Sequence, residues 1–166
     1  MGFRAKITAA IVGFLSGAPD LGTARHEFDD TTEILLSLGT AADQANAIYA
    51  DDFTIASGAT LVLDLAGGVT NALGVTYTFT AVKALKIEAD DGNTLNIVYG
   101  GGSNPFLGWF ADPTDKGVVA PGGVALHVDP TAGGRAVTAA TGDLLLLALS
   151  GTGSSVSGRI TIVGEA

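Results

Sequence analysis

Short apolar stretches separated by turn residues recur along the chain from residue 51 onward. Each stretch is closed by Gly, Pro, Asp or Ser, and no helix-length periodicity separates them. They lie at 53–55, 60–65, 76–80, 84–88, 95–99, 124–128, 144–149 and 158–164. Strand-length stretches with turns every 8–12 residues or so are typical of antiparallel sandwiches. The pattern predicts an all-β fold, a jelly-roll-like antiparallel β-sandwich of eight to ten strands over residues 51–166.

One dipeptide makes a local prediction within this pattern. Asp91-Gly92 lies between the alternating stretches 84–88 and 95–99. Asp-Gly between two such stretches is a strong signal for a two-residue hairpin turn. We therefore expect these two strands to pair with each other.

The first 50 residues are less regular, and they begin with an alternating segment. Phe3, Ala5 and Ile7 alternate with polar residues, as in a strand. The same segment has basic residues followed by an apolar run to Leu15 and small residues at 16–18, which also resembles a signal peptide. Because the alternation favours a strand, we interpret residues 1–21 as an N-terminal strand or arm that lies against a neighbouring subunit or a larger partner.

A polar stretch at 20–32, a strand at 33–38 and one short helix are expected to follow the arm. The helix is predicted over 41–49, with Thr40 as the N-cap, Asp43 in the first turn and an alanine-rich interior. About nine residues make a marginal helix, so packing on the sandwich must hold it. Residues 1–50 are thus expected to be an arm, a strand and a short helix packed on the sandwich domain.

The composition adds to this picture, because it indicates that part of the apolar surface is covered by another molecule. Hydrophobic residues make up 47% of the chain and charged residues 15%, and the mean hydropathy is +0.42. The longest purely apolar run, 144–149, has six residues, far short of the roughly 20 that span a bilayer as a helix. Alternation would turn one half of this run to the core and leave the other half to be covered. We therefore expect no membrane partner and predict self-association, as a homotrimer.

Charge argues against nucleic acid as a partner. The net charge is −9, the isoelectric point is near 4.3, and the eight basic residues are scattered without forming a stripe. Nucleic-acid binding requires clustered Lys and Arg to replace phosphate counterions.

The chemistry of known active sites is not apparent in the residues. There is no cysteine, the two histidines, His26 and His127, are far apart, and His127 is expected on a strand surface. No phosphate-binding loop or nucleophile motif occurs. We therefore predict no enzyme activity, no cofactor and no transition metal. The acidic pairs Asp29-Asp30, Asp51-Asp52 and Asp90-Asp91 are interpreted as turn residues, with calcium binding as the alternative.

An aromatic-rich loop is the most distinctive local feature. Residues 103–117 contain Phe106, Leu107, Trp109 and Phe110 among Pro, Gly and Asn. These side chains could cap an open end of the sandwich core, anchor a partner or stack on a sugar. The candidate interface comprises eight residues, four from the N-terminal segment and four from this loop: Phe3, Ile7, Ile11, Phe14, Phe106, Leu107, Trp109 and Phe110.

Several framework segments carry a resemblance to a known group. The run Ile55–Gly67, the segment Ala81–Ile87, and the Pro-Gly-Gly, Thr-Gly-Asp and Ile-Thr-Ile-Val-Gly elements at 121–123, 141–143 and 160–164 resemble small virion proteins of tailed bacteriophages. Within that group the chain is most similar to head decoration, or cement, proteins.

The resemblance implies a non-enzymatic, homo-oligomeric module. It would be made in the bacterial host cytoplasm, bind the major capsid protein on the outer capsid surface of the virion, and stiffen the head. Similar sandwiches occur in tail and fibre proteins. The alternative is therefore a receptor- or glycan-binding module of a tail or head fibre.

Overall fold

The computed structural model describes residues 2–18, 22–71 and 73–166, and within these ranges the regular structure is all strand, with no helix. The strands are β1 (Arg4–Gly17), β2 (Ala24–Leu38), β3 (Gln44–Ala45), β4 (Ala47–Ile55), β5 (Thr60–Asp64), β6 (Val69–Thr70), β7 (Thr76–Tyr77), β8 (Ala81–Ala89), β9 (Ile97–Tyr99), β10 (Gly117–Val119), β11 (Val124–Val128), β12 (Arg135–Ala136), β13 (Leu144–Leu149) and β14 (Val156–Glu165).

Two antiparallel sheets form the body of the molecule. One has the order β10-β9-β13-β5, and the other has the order β11-β8-β14-β4, with β12 also paired to β8. The pairing is nested, because β4 pairs with β14, β5 with β13, β8 with β11 and β9 with β10. Strands far apart in sequence are therefore neighbours in space.

A single hydrophobic core receives side chains from both sheets. In β13, Leu145 and Leu147 are buried in this core, while Leu144 and Leu146 between them are only partly buried. In β14, Ile160 and Ile162 face the same core. This period of two is what a strand produces when one face packs on the core, and it agrees with the alternation expected for the run at 144–149.

A long hairpin, here called the arm, precedes the body. Its strands β1 and β2 pair in continuous register from Arg4 with Ser37 to Gly17 with Ala24. At the arm base (residues 3–8 and 33–38), Leu36 is buried with Ala45, Ala84 and Val163 in a second, smaller hydrophobic cluster. The arm base is therefore packed on the side of the five-stranded sheet that faces away from the main core.

The short helix predicted over 41–49 is wrong. Asp43 has a φ of 56°, in the left-handed region, which a right-handed helix excludes. The chain then enters strands in which Ala47 and Tyr49 face the main core while Ile48 packs on the second cluster. A nine-residue alanine-rich segment forms a helix only marginally, so burial of alternate side chains on the two faces of a sheet decides its structure. The strand β4 also begins before residue 51.

The hairpin predicted at Asp91-Gly92 is also wrong. A turn does occur there, with the Asn93 amide donating to the carbonyl of Asp90 at 3.2 Å. The flanking strands β8 and β9 belong to different sheets, so the turn carries the chain across the core. The strand β8 already has β14 on one side and β11 and β12 on the other, which leaves no edge for β9.

Candidate interaction surfaces

The arm has two chemically different faces. Directly paired residues of an antiparallel ribbon project to the same side, so the register assigns each side chain to a face. One face, here called the apolar face, carries Ala5, Ile7, Ala9, Ile11 and Leu15 from β1 and Leu36, Ile34 and Phe28 from β2. Only its first part, at the arm base, is covered by the body.

Beyond the arm base, large apolar side chains are open to solvent. We call residues 9–17 and 24–32 the distal arm. Ile11 is 71% exposed and Leu15 75%, both on the apolar face, and Phe28 beside them is 48% exposed. Contiguous apolar surface of this kind marks an interaction site in a soluble protein.

The opposite face of the arm is more polar. Lys6 pairs with Glu33, and Arg25 lies 3.2 Å from a Glu27 oxygen. Phe14 is on this face, with the Arg25 guanidinium 4.2 Å from its ring centroid. Of the four arm residues proposed as an interface, Phe3 and Ile7 pack at the arm base, Ile11 lies on the apolar face beyond it, and Phe14 lies on the opposite face.

A groove of about 460 Å³ lies beside the arm base, on the outward side of the five-stranded sheet. Its walls are largely apolar, and two half-exposed lysines, Lys6 and Lys86, also line it. The apolar lining comes from one residue of each strand of the sheet and two residues of the arm base: Ile48, Ala84, Leu126, Val163, Ala5 and Ile7.

The outward side of the four-stranded sheet is apolar as well. Val118, Val98 and Ala148 form one row across three strands, and Leu146 pairs with Val62 in the next. Val118 is 59% exposed. Sequence reasoning identified the run in β13 but missed Val62 and Val118, because isolated valines in short segments give no signal until the register aligns them.

The aromatic loop, residues 103–117, packs against one end of the core. Phe106 is buried in the core, and Trp109 and Phe110 are partly buried against it. Trp109 meets Phe106 edge-on, with centroids 6.4 Å apart. Leu107 remains 38% exposed. Phe106, Trp109 and Phe110 thus belong to the main core cluster, whereas the arm base belongs to the second cluster.

His127 joins the aromatic loop to the body. Its ring stacks on Trp109 with centroids 5.1 Å apart, and its Nε2 lies 2.7 Å from the Tyr99 hydroxyl. Burial lowers the pKa of His127 and raises that of Tyr99. A neutral imidazole has one donor and one acceptor nitrogen, so its tautomer decides which of the two groups donates in this hydrogen bond. His127 faces the core side of β11, so the expectation of a surface histidine is wrong.

Arg135 also lies near the Trp109 ring. Its guanidinium carbon lies 5.8 Å from the centroid of the Trp109 ring, and its Nε lies 2.9 Å from Asp129 Oδ2. A side-chain hydrogen bond from Thr131 is the main cause that lowers the pKa of Asp129, and Arg135 adds to it. The indole is thus close to both a histidine and an arginine.

Asp52, Asp90 and Asp91 line a polar groove of about 740 Å³. Of the three acidic pairs predicted as turn residues, only Asp90-Asp91 lies at a turn, because Asp29-Asp30 belongs to β2 and Asp51-Asp52 to β4. Asp52 forms a two-point ion pair with Arg159, at 2.6 Å and 3.2 Å, and this hydrogen bonding lowers the pKa of Asp52. Asp29 accepts a 2.6 Å hydrogen bond from Thr31. Within the described ranges, no group of three or more His, Cys, Asp or Glu has the geometry of a metal site.

The polar stretch expected at 20–32 contains most of β2, the second strand of the arm. Its described part, from residue 22, enters β2 at Ala24, and Phe28 lies opposite Gly13 on the apolar face. Phe28, Thr32, Ile34 and Leu36 share one face of β2, but Asp30 lies on that face among them and Leu35 lies on the other, so the alternation is incomplete.

In the part of the chain that the structure describes, no helix is long and apolar enough to cross a membrane. Comparison with protein-family models, with curated proteins and with solved structures found no match for this chain.

Proposed function

We propose that this protein is a non-enzymatic decoration protein of a tailed-bacteriophage head. It binds the outer capsid surface as a homo-oligomer and stabilises the shell. The observation that carries the proposal is the pair of apolar surfaces on one small body, the distal arm and the outward side of the four-stranded sheet. One surface serves self-association, and the other serves attachment to the major capsid protein.

The strand order supports a jelly-roll body. In a jelly roll, an antiparallel ribbon of eight strands wraps so that the first pairs with the eighth, the second with the seventh, and so on inward. The pairs β4–β14, β5–β13, β8–β11 and β9–β10 follow this order. Double-sheet jelly rolls recur in viral capsid proteins and in lectins.

The physical task proposed is mechanical. A protein that bridges neighbouring capsid subunits adds buried area that expansion of the shell would have to break. At about 25 cal/mol per Å² of apolar area, a modest contact is multiplied when each oligomer attaches at several points. The net charge of −9 supports a position outside the shell, away from DNA of the same sign.

A second function, as a receptor- or glycan-binding module of a tail or head fibre, is favoured by one observation. Trp109 lies at an end of the body with Arg135 and Asp129 beside it, and aromatic rings bordered by polar groups are common in sugar sites. Against this, His127 already stacks on the indole at 5.1 Å, so that contact occupies ring surface a sugar would need.

The test compares two single substitutions in the phage particle. Val118→Glu places a charge on the outward side of the four-stranded sheet, and decoration predicts that capsid occupancy falls while the melting temperature stays within a few degrees of the parent. Cryo-electron microscopy of the particle gives the occupancy and shows whether the protein lies on the head. Full occupancy with the glutamate in place would contradict decoration through this surface.

Trp109→Ala separates the two functions. For decoration, we expect a stability loss of about 3 kcal/mol, at the low end for truncating a large aromatic residue, because Trp109 is only partly buried. Adsorption of the phage to cells should then fall no further than the loss of folded protein accounts for. For a receptor module, adsorption should disappear while the particle is otherwise normal. Trp109→Phe keeps an aromatic ring and is the control.

A further inference from the structure

We propose that the distal arm of one copy lies in the groove beside the arm base of a second copy, with its apolar face toward the groove. Each copy gives one arm and receives another. This contact would produce the self-association that is part of the proposed function, and it rests on that self-association.

The first support is continuity with packing already present within one chain. At the arm base, Ile7 and Leu36 pack with Ala84 and Val163 on the outward side of the five-stranded sheet. The groove beside the base is lined by the same Ala84 and Val163, together with Leu126. The distal arm continues the apolar face, so it presents to the groove the side-chain chemistry that this sheet already buries.

The second support is charge complementarity. On the apolar face of the distal arm, Asp30 lies opposite Ile11, while Glu27, Asp29 and Arg25 lie on the opposite face. The groove is lined by the half-exposed Lys6 and Lys86. Exposed ion pairs add little free energy, but opposite signs fix orientation and speed encounter.

The third support is the area required. Nine residues of each strand form a ribbon about 30 Å long and 10 Å wide, so one face covers about 300 Å². Two arms in contact face to face would bury about 600 Å² in total, the size of a crystal contact. Two reciprocal arm-in-groove contacts would bury about 1,200 Å², the lower limit for a specific, stable interface.

Neighbouring residues of β1 provide a matched pair for the test. Ile11→Asp changes the apolar face, whereas Val12→Asp changes the opposite face at almost the same exposure, 71% against 67%. We expect sedimentation equilibrium to show self-association weakened about 30-fold or more by Ile11→Asp and about threefold or less by Val12→Asp. Both variants should melt near the parent temperature, because both positions are exposed.

Mixing two defective variants tests the reciprocity. Ile11→Asp disrupts the apolar face of the arm and leaves the groove intact. Leu126→Asp disrupts the groove and leaves the arm intact. A mixture retains one good pairing, the arm of the second variant in the groove of the first. We expect a mixed complex at tens of micromolar protein, where neither variant associates alone. If Leu126→Asp melts early, Lys86→Glu replaces it as the groove variant.

The outcomes separate this inference from the proposed function. Equal effects of Ile11→Asp and Val12→Asp, or no mixed complex, would overturn the arm-in-groove contact while leaving an oligomeric decoration protein possible. A monomeric parent protein whose capsid occupancy depends on Ile11 would assign the apolar face to the capsid and also overturn it. A monomeric parent that is absent from capsids would refute the proposed function itself.

Discussion

His127 holds the aromatic loop to the body through two contacts. Its Nε2 lies within hydrogen-bond distance of the Tyr99 hydroxyl, and its ring stacks on Trp109. Burial lowers its pKa, so the folded protein resists protonating this residue. In the unfolded chain the same imidazole takes up a proton near pH 6.5.

The sign of the resulting pH dependence follows from linkage. Above pH 6.5 or so the ring is neutral in both states, and its contribution to stability is complete. As the pH falls further, the His127 imidazole of the unfolded chain binds a proton that the folded protein does not take up. The free energy of unfolding therefore decreases. We expect His127→Gln to reduce the fall in unfolding free energy between pH 7.5 and pH 5, measured by urea denaturation. His26→Gln, on the exposed arm, should leave that fall unchanged, and equal effects of the two would contradict the role of His127.

Lys83 is a second ionisable residue that lies inside the molecule. It occupies a β-bulge of β8 opposite Val163 and Gly164, and it is completely buried. Its Nζ lies 3.0 Å from Glu165 Oε1 and donates to the carbonyl of Thr131. The Glu165 oxygen is close but has no well-aligned hydrogen bond, so the contact is an ion pair without ideal geometry.

Removing one partner of this pair should cost more than removing both. Glu165→Leu leaves a buried ammonium group, for which we expect a loss of about 3–5 kcal/mol in unfolding free energy. The double variant Lys83→Met/Glu165→Leu should recover most of it. Glu88→Leu breaks the exposed pair with Lys86 and should cost less than about 1 kcal/mol. Chemical denaturation of the four proteins would decide, and additive losses in the double variant would argue against a buried-charge effect.

The arm is an element that its own strands cannot stabilise. A two-stranded ribbon in water is marginal at best, and this one is packed on the body only at the base. Sequence reasoning found the first strand from the alternation at Phe3, Ala5 and Ile7. It predicted only the end of the partner strand, at 33–38, and missed the part before it because the pairing register, which aligns Phe28 with the apolar face, is a property of both strands together.

Shortening the arm should uncouple assembly from folding. Replacing residues 10–31 with a Gly-Asn-Gly turn keeps the base pairs from Arg4 to Ala9 and removes the exposed apolar face. We expect a melting temperature within about 5 °C of the parent, since exposed residues contribute little to stability, together with loss of self-association by light scattering. Deleting 2–15 instead would also remove Phe3, Ala5 and Ile7 from the second cluster, so it would confuse the two effects. A shortened protein that still self-associates would contradict the role of the distal arm.

The short segments around residue 45 show where element prediction from sequence ends. Local chemistry favoured a helix from Thr40, because alanine-rich sequence and a cap are helix signals. The structure instead buries Ala45 completely beside Leu36 and places Ala47 in the core between the sheets. The deciding interactions come from the preceding strand β2 and from β14, which is distant in sequence, so no pattern within the segment contains them.

At the scale of the whole molecule, the all-β class follows from alternation, but the strand order does not. The strands β8 and β9 follow each other and share an Asp-Gly turn, and yet they lie in different sheets. A turn that joins two neighbours and a turn that crosses the core have similar sequences. What distinguishes them is which strand edges are already occupied.

The nested pairing makes β14 indispensable. It lies between β4 and β8, and its Ile160 and Ile162 are almost completely buried. We expect a chain that lacks residues 156–166 to show no cooperative thermal transition by circular dichroism. The arm-shortened protein loses more residues and should keep a sharp transition, which makes it the control. A cooperative transition without β14 would contradict this view of the body.

The nested order of strand pairing also determines when each part of the fold can form during synthesis. Of the nested pairs, β9 and β10 are the first to have both strands outside the ribosome, and the outer pairs become possible only in turn, ending with β4 and β14. The groove beside the arm base requires Val163 of β14 and Ala84 of β8 side by side. A nascent chain therefore exposes its arm before any site for an arm exists on it. Completion of the fold is the event that makes a copy competent to receive another, which restricts assembly to finished molecules.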